Sequence, residues 1–249
     1  CTSTATQQLV TVNPLPTVTA VSNSTAICVN QSATLTAGGA QTYTWTSPAS
    51  TNTVITVNPT TTTSYVVIGT DANNCVNTQT VTLTVNALPT LTASTITNVT
   101  CFGANNGSVN FTPAAGTPTY AITGTSVTGT SATGLAPADY TYTVTDAAGC
   151  QNTTTLSITQ PTAALAANAA VTATNSSCTS PNGAFAITAT GGTSTYSYSI
   201  DGGALTTNSV TSNLSSGPHT YVVTDANGCT TTTGTVNISG TPGITSSVS

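Results

Sequence analysis

The chain has 249 residues, no Lys, Arg, Glu or Met, five acidic side chains and one His, for a net charge of −5. With no cationic side chain there is no basic surface to meet a phosphate backbone or an anionic membrane, so nucleic-acid binding and polybasic membrane binding are excluded. No apolar run approaches the ~20 residues that a membrane-spanning helix needs, so no membrane insertion is expected.

About a quarter of the residues are Thr. Together with Val, Ile and Tyr they favour pleated strands, and the apolar residues alternate along the chain as half-buried strands require. The organising stretch is YVVIGTDANNC at 65–75, which returns as YTYTVTDAAGC ending at Cys150 and as HTYVVTDANGC ending at Cys229. A pattern that recurs at a period in the seventies marks a tandem array of small modules.

Taken in order, residues 1–14 parallel the segment from Cys75 and read as the last strand of a preceding repeat. The first full repeat spans 15–86. Its strands are predicted at LPTVTA from Leu15, SATLTA over 32–37, TYTW over 42–45, VITV over 54–57, SYVVIGT from Ser64, and a long last strand containing TVTLTV over 80–85. In that last strand Val81, Leu83 and Val85 fall on one face and the threonines on the other. The second repeat, 87–160, has the same order: LTASTIT, SVNF from Ser108, YAIT from Tyr120, a Gly- and Thr-rich middle, YTYTVTD and TTTLSIT. The third, 161–239, offers GAFAITA, YSYSI, a DGG turn at Asp201, HTYVVTD and a strand near TGTVNI, and 240–249 reads as the start of a following repeat. Seven or so short strands per repeat predict an all-β fold, a tandem array of three immunoglobulin-like β-sandwiches with partial flanking repeats. The joints LPT, LPT and QPT are short and contain Pro, which limits hinge freedom.

Cysteines stand at 1, 28, 75, 101, 150, 178 and 229. Their regular spacing points to disulfides and an oxidising compartment, and the absence of any CxxC pair argues against zinc. Two pairings stay open. Nearly equal spans separate Cys28 from Cys75, Cys101 from Cys150 and Cys178 from Cys229, which fits one bond inside each repeat. In a sandwich of this type, however, the strand after the first cysteine and the strand before the second run in the same direction, which puts the two at opposite ends of a module, too far apart for a bond. The alternative joins Cys28 to Cys150 and Cys101 to Cys229, leaving Cys1, Cys75 and Cys178 to partners outside the fragment.

Asp71, Asp146 and Asp225 each stand four residues before a cysteine. Five Asp cannot build a multi-carboxylate calcium cage in each module, so these three read as turn residues that accept backbone amides two positions on. Asp201 sits in a Gly-Gly hairpin turn, and Asp139 borders a strand. His219 occupies the place of Tyr140 and Tyr65 in the other repeats and reads as a structural ring. Trp45 aligns with Ile122 and Ile200 and reads as core. No catalytic residue, metal ligand or cofactor site is expected, because the chain offers no acid/base pair, nucleophile elbow or metal cluster.

The phrase CFGANNGSVNF, followed by YAIT, YTYTVTDAAGC and SITQP, resembles the SprB-type repeat of giant gliding-motility adhesins of the Bacteroidota. The third repeat is similar through YSYSIDGG and YVVTDANGC. The first looks like the related PKD-like and immunoglobulin-like modules of the same class of surface proteins. The resemblance implies secretion, a place on the cell surface and no catalytic residues. Two functions follow as expectations: a spacer or stalk in an adhesin or surface filament, or a module that binds carbohydrate or another surface. The partners expected are neighbouring repeats of the same chain, other copies pairing laterally along uncharged strand edges, and surface glycans. Because trypsin cuts only after Lys and Arg, prolonged digestion of the denatured and reduced chain should leave it at full length on a gel, whereas chymotrypsin should fragment it.

Overall fold

A computed structural model describes residue 8, residues 10–177 and residues 180–240. Cys1 and Cys178, and most of the partial repeats expected at 1–14 and 240–249, lie outside the described residues. The chain divides into two compact units, Cys1–Leu91 with Pro113–Ile122 and Thr143–Thr153, and Thr92–Thr112 with Thr123–Tyr142 and Thr154–Ser249. The division runs across the second repeat. Among the described residues all regular structure is β, arranged as tandem immunoglobulin-like repeats.

In the first repeat the strands are β1 (Thr19–Ser22), β2 (Ala26–Cys28), β3 (Ala33–Gly38), β4 (Thr42–Thr46), β5 (Ala49–Ser50), β6 (Val54–Val57), β7 (Thr63–Thr70) and β8 (Val76–Asn86). One sheet has the order β1-β3-β6 and the other β2-β8-β7-β4-β5. Their inner faces enclose one core in which Leu35, Trp45, Val67 and Leu83 are fully buried. This is the alternation read from the sequence: in β8 Leu83 points inward while Thr80, Thr82 and Thr84 are exposed. The Trp45 indole N–H donates to the Asn52 carbonyl at 3.0 Å, so the ring is buried without an orphaned donor. The first strand begins at Thr19 rather than Leu15, because the amide of Val18 turns back to the Pro16 carbonyl.

The second repeat comprises β9 (Thr90–Thr97), β10 (Gly107–Ala114), β11 (Tyr120–Thr123), β12 (Val127–Thr128), β13 (Ser131–Leu135), β14 (Ala138–Asp146) and β15 (Gln151–Ile158). Its sheets are β12-β13-β10-β9 and β11-β14-β15, so the Gly- and Thr-rich middle supplies two strands of its own. Within the second unit Phe111 on β10 packs on Tyr142 of β14 with ring centroids 4.6 Å apart. The third repeat has β16 (Ala166–Ala173), β17 (Gly183–Thr190), β18 (Ser197–Ile200), β19 (Val210–Leu214), β20 (Gly217–Thr224) and β21 (Gly234–Ile238), in sheets β16-β17-β19 and β18-β20-β21. Phe185, Ile187, Tyr198, Tyr221, Val223 and Ile238 form its core. Gly107 and Gly183 open equivalent strands and lie against Ile158 and Ile238, where a Cβ would come within 2.6 and 2.7 Å of a methyl carbon.

The sequence did not disclose a parallel stitch. β2 pairs in parallel with the end of β8, Cys28 opposite Asn86, which brings the first cysteine of the repeat beside the exit of its last strand. Equivalent contacts recur where Val99 N–H donates to the Thr159 carbonyl at 2.9 Å and Asn175 N–H to that of Ser239 at 3.0 Å.

Tyr142 is fully buried, and its hydroxyl is the one buried side-chain polar atom without a partner among the described residues. Burial and the neighbouring Tyr140 push its pKa up. An unsatisfied buried hydroxyl costs about 1 to 3 kcal/mol. Tyr142→Phe should therefore raise the chain's stability in urea unfolding by about 1 kcal/mol, against the loss that most core substitutions cause.

Candidate functional site

Asp71, Asp146 and Asp225 stand at the ends of β7, β14 and β20, each leading into its cysteine. Each of the three DxxxC turns closes in the same way. Asp146 N–H donates to the Cys150 carbonyl at 3.0 Å, and Oδ1 of Asp146 accepts the amides of Ala148 at 3.0 Å and Cys150 at 2.8 Å. Asp71 takes the amides of Asn73 and Cys75, both at 2.8 Å, and Asp225 those of Asn227 and Cys229, both at 2.9 Å. The residue before each cysteine has a positive φ: 61° at Asn74, 79° at Gly149 and 80° at Gly228. Asn visits this region at lower cost than other side chains, which is why it can replace Gly.

The turn carboxylates also make a contact that sequence reasoning missed. Oδ2 of Asp146 accepts the amide of Thr117 at 2.8 Å, and Oδ2 of Asp225 that of Thr193 at 2.8 Å. Both carboxylates are buried. The amides lie on distant loops, and the sequence sign of the approach is a glycine: a Cβ on Gly116 or Gly192 would stand 2.6 Å from the carboxylate oxygen. Three amides hold the Asp146 carboxyl below the usual carboxylate range, that of Thr117 contributing most and outweighing the opposing effect of burial. Asp71 lacks the second contact, and the loop amide of Gln41 goes to the Thr70 carbonyl instead.

The turn is also tied to the entry of its own module. The side-chain amide of Asn77 donates to the Pro16 carbonyl at 2.9 Å, and that of Asn152 to Pro89 at 3.0 Å. Within the first unit, the stitch sets Cys28 beside Asn86, and the Asn152 tie sets the turn of the next module beside Pro89, three residues on. The two cysteines meet across this joint. Cys28 and Cys150 form a disulfide with Cα atoms 5.6 Å apart, and Cys101 and Cys229 form another with Cα atoms 5.7 Å apart. Both distances lie within the normal range for the bond. Cys75 is a free, half-buried thiol. In the second unit the side-chain amide of Asn227 adds a hydrogen bond across the joint, to the Thr100 carbonyl at 3.1 Å.

His219 belongs to a different feature, found in the third repeat alone. Its Nδ1 lies 2.7 Å from Oδ2 of Asp201 and its Nε2 3.0 Å from the Ser215 carbonyl. Tyr140, its counterpart, donates its hydroxyl to the Ala136 carbonyl at 2.9 Å, also four residues back. A neutral imidazole has one N–H, whereas both ring nitrogens here face acceptors. The site therefore favours the imidazolium. The hydrogen bond to Asp201 is the main cause that raises the His219 pKa above its ordinary 6.5, with the Ser215 carbonyl next. Burial works against the charged form of Asp201, yet the bonds from His219 and the Thr220 amide leave its pKa lowered. Asp201 is thus more than a hairpin residue. Asp139 is exposed on β14. No group of three metal-ligating side chains occurs among the described residues.

With this geometry in view, a likeness to a known family is found in two of the three repeats. Two segments match the SprB repeat. They are residues 93–123 and 170–205. Each SprB match runs from the first strand of a repeat through its leading cysteine to the YAIT or YSYSI strand, and stops short of the DxxxC turn. No curated protein matches the chain. Among solved structures, it is similar to the C-terminal fragment of intimin in complex with the intimin-binding domain of its translocated receptor, at 14% identity and TM-score 0.39, over 66% of this chain and 69% of that one. It is similar to the N-terminal eight immunoglobulin domains of Down syndrome cell adhesion molecule, at 10% identity and TM-score 0.43, over 87% of this chain and 35% of that one. A fragment of a 1.5-MDa bacterial ice-binding adhesin is similar at 16% identity and TM-score 0.38, over 92% of this chain and 99% of that one.

The two carboxylate features act at opposite ends of the pH scale. The Asp146 carboxyl has a lowered folded pKa, so its contribution is present at neutral pH and lost as pH falls through that value. His219 has a raised folded pKa, so its contribution is full below 6.5 and lost as pH rises through the folded value. An NMR titration should place His219 above 6.5, and Asp201→Asn should bring it down and remove the loss of stability on the alkaline side. A His219 that titrates unchanged in that variant contradicts the pairing.

Proposed function

We propose that the chain is a structural, non-catalytic segment of a long extracellular adhesin or surface filament, a disulfide-stiffened stalk that holds an active region away from the cell. The modules of this reading are 15–86, 87–160 and 161–239, with partial repeats at 1–14 and 240–249. The observation that carries it is the position of the two disulfides, which join one repeat to the next rather than closing a repeat on itself. A domain that needs only its own fold gains most directly from an internal bond. A bond at the joint resists separation of neighbours, which is what a load along the chain would cause. Repeats that stack by packing alone need no site, and SprB-type repeats in surface adhesins fit the same role. An oxidising, extracellular setting suits both disulfides. Further copies are the second partner of this reading, pairing along strand edges that carry no Lys to discourage it.

A spacer tolerates replacement by another spacer, whereas an adhesive module does not. In cells that make the protein, exchanging residues 15–239 for an unrelated array of three immunoglobulin-like modules should leave adhesion within about twofold, read as cells retained on a surface under flow. Loss of adhesion with the surface level unchanged, as checked by antibody labelling of intact cells, would favour a carbohydrate- or surface-binding role for these repeats instead.

A further inference from the structure

We infer that the turn over residues 71–75 is a docking element for the leading-cysteine end of another β module of this kind, and that Cys75 closes that joint as a disulfide. This rests on the array reading above and adds a specific interaction surface to it.

Three observations on the first repeat carry the assignment. Its turn shares the Oδ1 hydrogen bonds of the two turns that are already docked, Asp71 accepting both amides at 2.8 Å, and differs from them in having no Oδ2 bond to a loop amide among the described residues. A turn preformed by the same clasp presents the cysteine in the same local backbone geometry as Cys150 and Cys229, each of which is bonded to the leading cysteine of the repeat before it. The turn is also tied to its own module's entry, Asn77 to Pro16, as the turn of the second repeat is tied through Asn152 to Pro89. This fixes it at the end of the module where the preceding partner attaches. Finally, the sequence DANNC repeats the DANGC of the third repeat, with Asn73 in the place of Asn227. Asn227 donates to the carbonyl just before the leading cysteine, that of Thr100, while Asn73 is exposed. The first repeat thus carries the thiol and the amide that the third repeat uses to grip its neighbour, and Cys75 is unpaired.

The occupant is therefore a module whose first parallel stitch ends in a carbonyl followed by cysteine, placed N-terminal to Leu15. Bond formation takes one thiol from each module. The two lose two protons and two electrons, and a disulfide donor, oxidised glutathione in the test below, is reduced to two thiols.

Protein from the cells that make it, alkylated without reduction and digested with chymotrypsin, should yield Cys75 linked to a cysteine of a preceding module. Recovery of Cys75 in alkylated form, or linked to Cys1 or to a small thiol, overturns the proposal. A second measurement uses a chain in which a copy of residues 87–160 replaces 1–14, refolded in a glutathione buffer. The copy's leading cysteine should bond to Cys75, and maleimide labelling of Cys75 should fall at least tenfold relative to the unextended chain. If Cys28–Cys150 and Cys101–Cys229 form while Cys75 labels fully, the docking assignment fails and the array reading stands. If those two bonds are replaced by bonds within repeats, both fail.

Discussion

The structure depends on a geometric constraint at each joint: the first cysteine of a module must lie beside the exit of that module's last strand. Without the parallel stitch between β2 and β8, Cys28 would sit on an unpaired lead-in, and nothing would hold it near the next repeat. With it, the cysteine is held by sheet hydrogen bonds at the place where the chain passes to its neighbour. The carboxylate clasp does the complementary work on the other side, fixing the turn that presents Cys150 or Cys229. The disulfides then join two ends that are already positioned, so little ordering remains to be done when the bond forms.

Each bond closes a long loop, with sequence separations of 122 and 128 residues. On the chain-entropy estimate a loop of this size contributes roughly 4 to 5 kcal/mol, a large addition for modules this small. The loops also overlap, because Cys101 and Cys150 of the second repeat each bond outward in opposite directions. The shortest covalent path from Cys28 to Cys229 therefore runs through the two disulfides and the segment between Cys101 and Cys150.

Much of the fold was legible because burial in a sheet has a period of two. The runs SATLTA and YTYTVTD alternate apolar with polar residues and each became a strand, while VITV and SYVVIGT place apolar residues side by side and alternate only in burial. The turns were legible because Asp followed by a positive-φ residue and Cys is a local device whose partners lie within four residues. What stayed hidden joins residues far apart in sequence. The amides of Thr117 and Thr193 reach their carboxylates from 29 and 32 residues away, and no local pattern announces them apart from a glycine that makes room. The stitch of β2 was hidden because AIC is a three-residue strand, too short to show a period. The Asp201–His219 pair was hidden because its members fall in a turn and a strand 18 residues apart, and the ring alone looks like a substitute for tyrosine. Cysteine spacing, finally, is the same for bonds within repeats and bonds between them. Only the direction of the strands separates the two.

Stretching single molecules tests the central claim most directly, because the two disulfides change how far the unfolded chain can extend. Between Cys28 and Cys229 the covalent path shortens from roughly 200 residues of backbone to the roughly 50 between Cys101 and Cys150, a difference of about 500 Å at full extension. The oxidised chain should fall short of its full contour by that length under high force, and a reductant should release it. Full extension of the oxidised chain, or a shortfall unchanged by the double variant Cys28→Ser, Cys101→Ser, would contradict bonds that join Cys28 to Cys150 and Cys101 to Cys229.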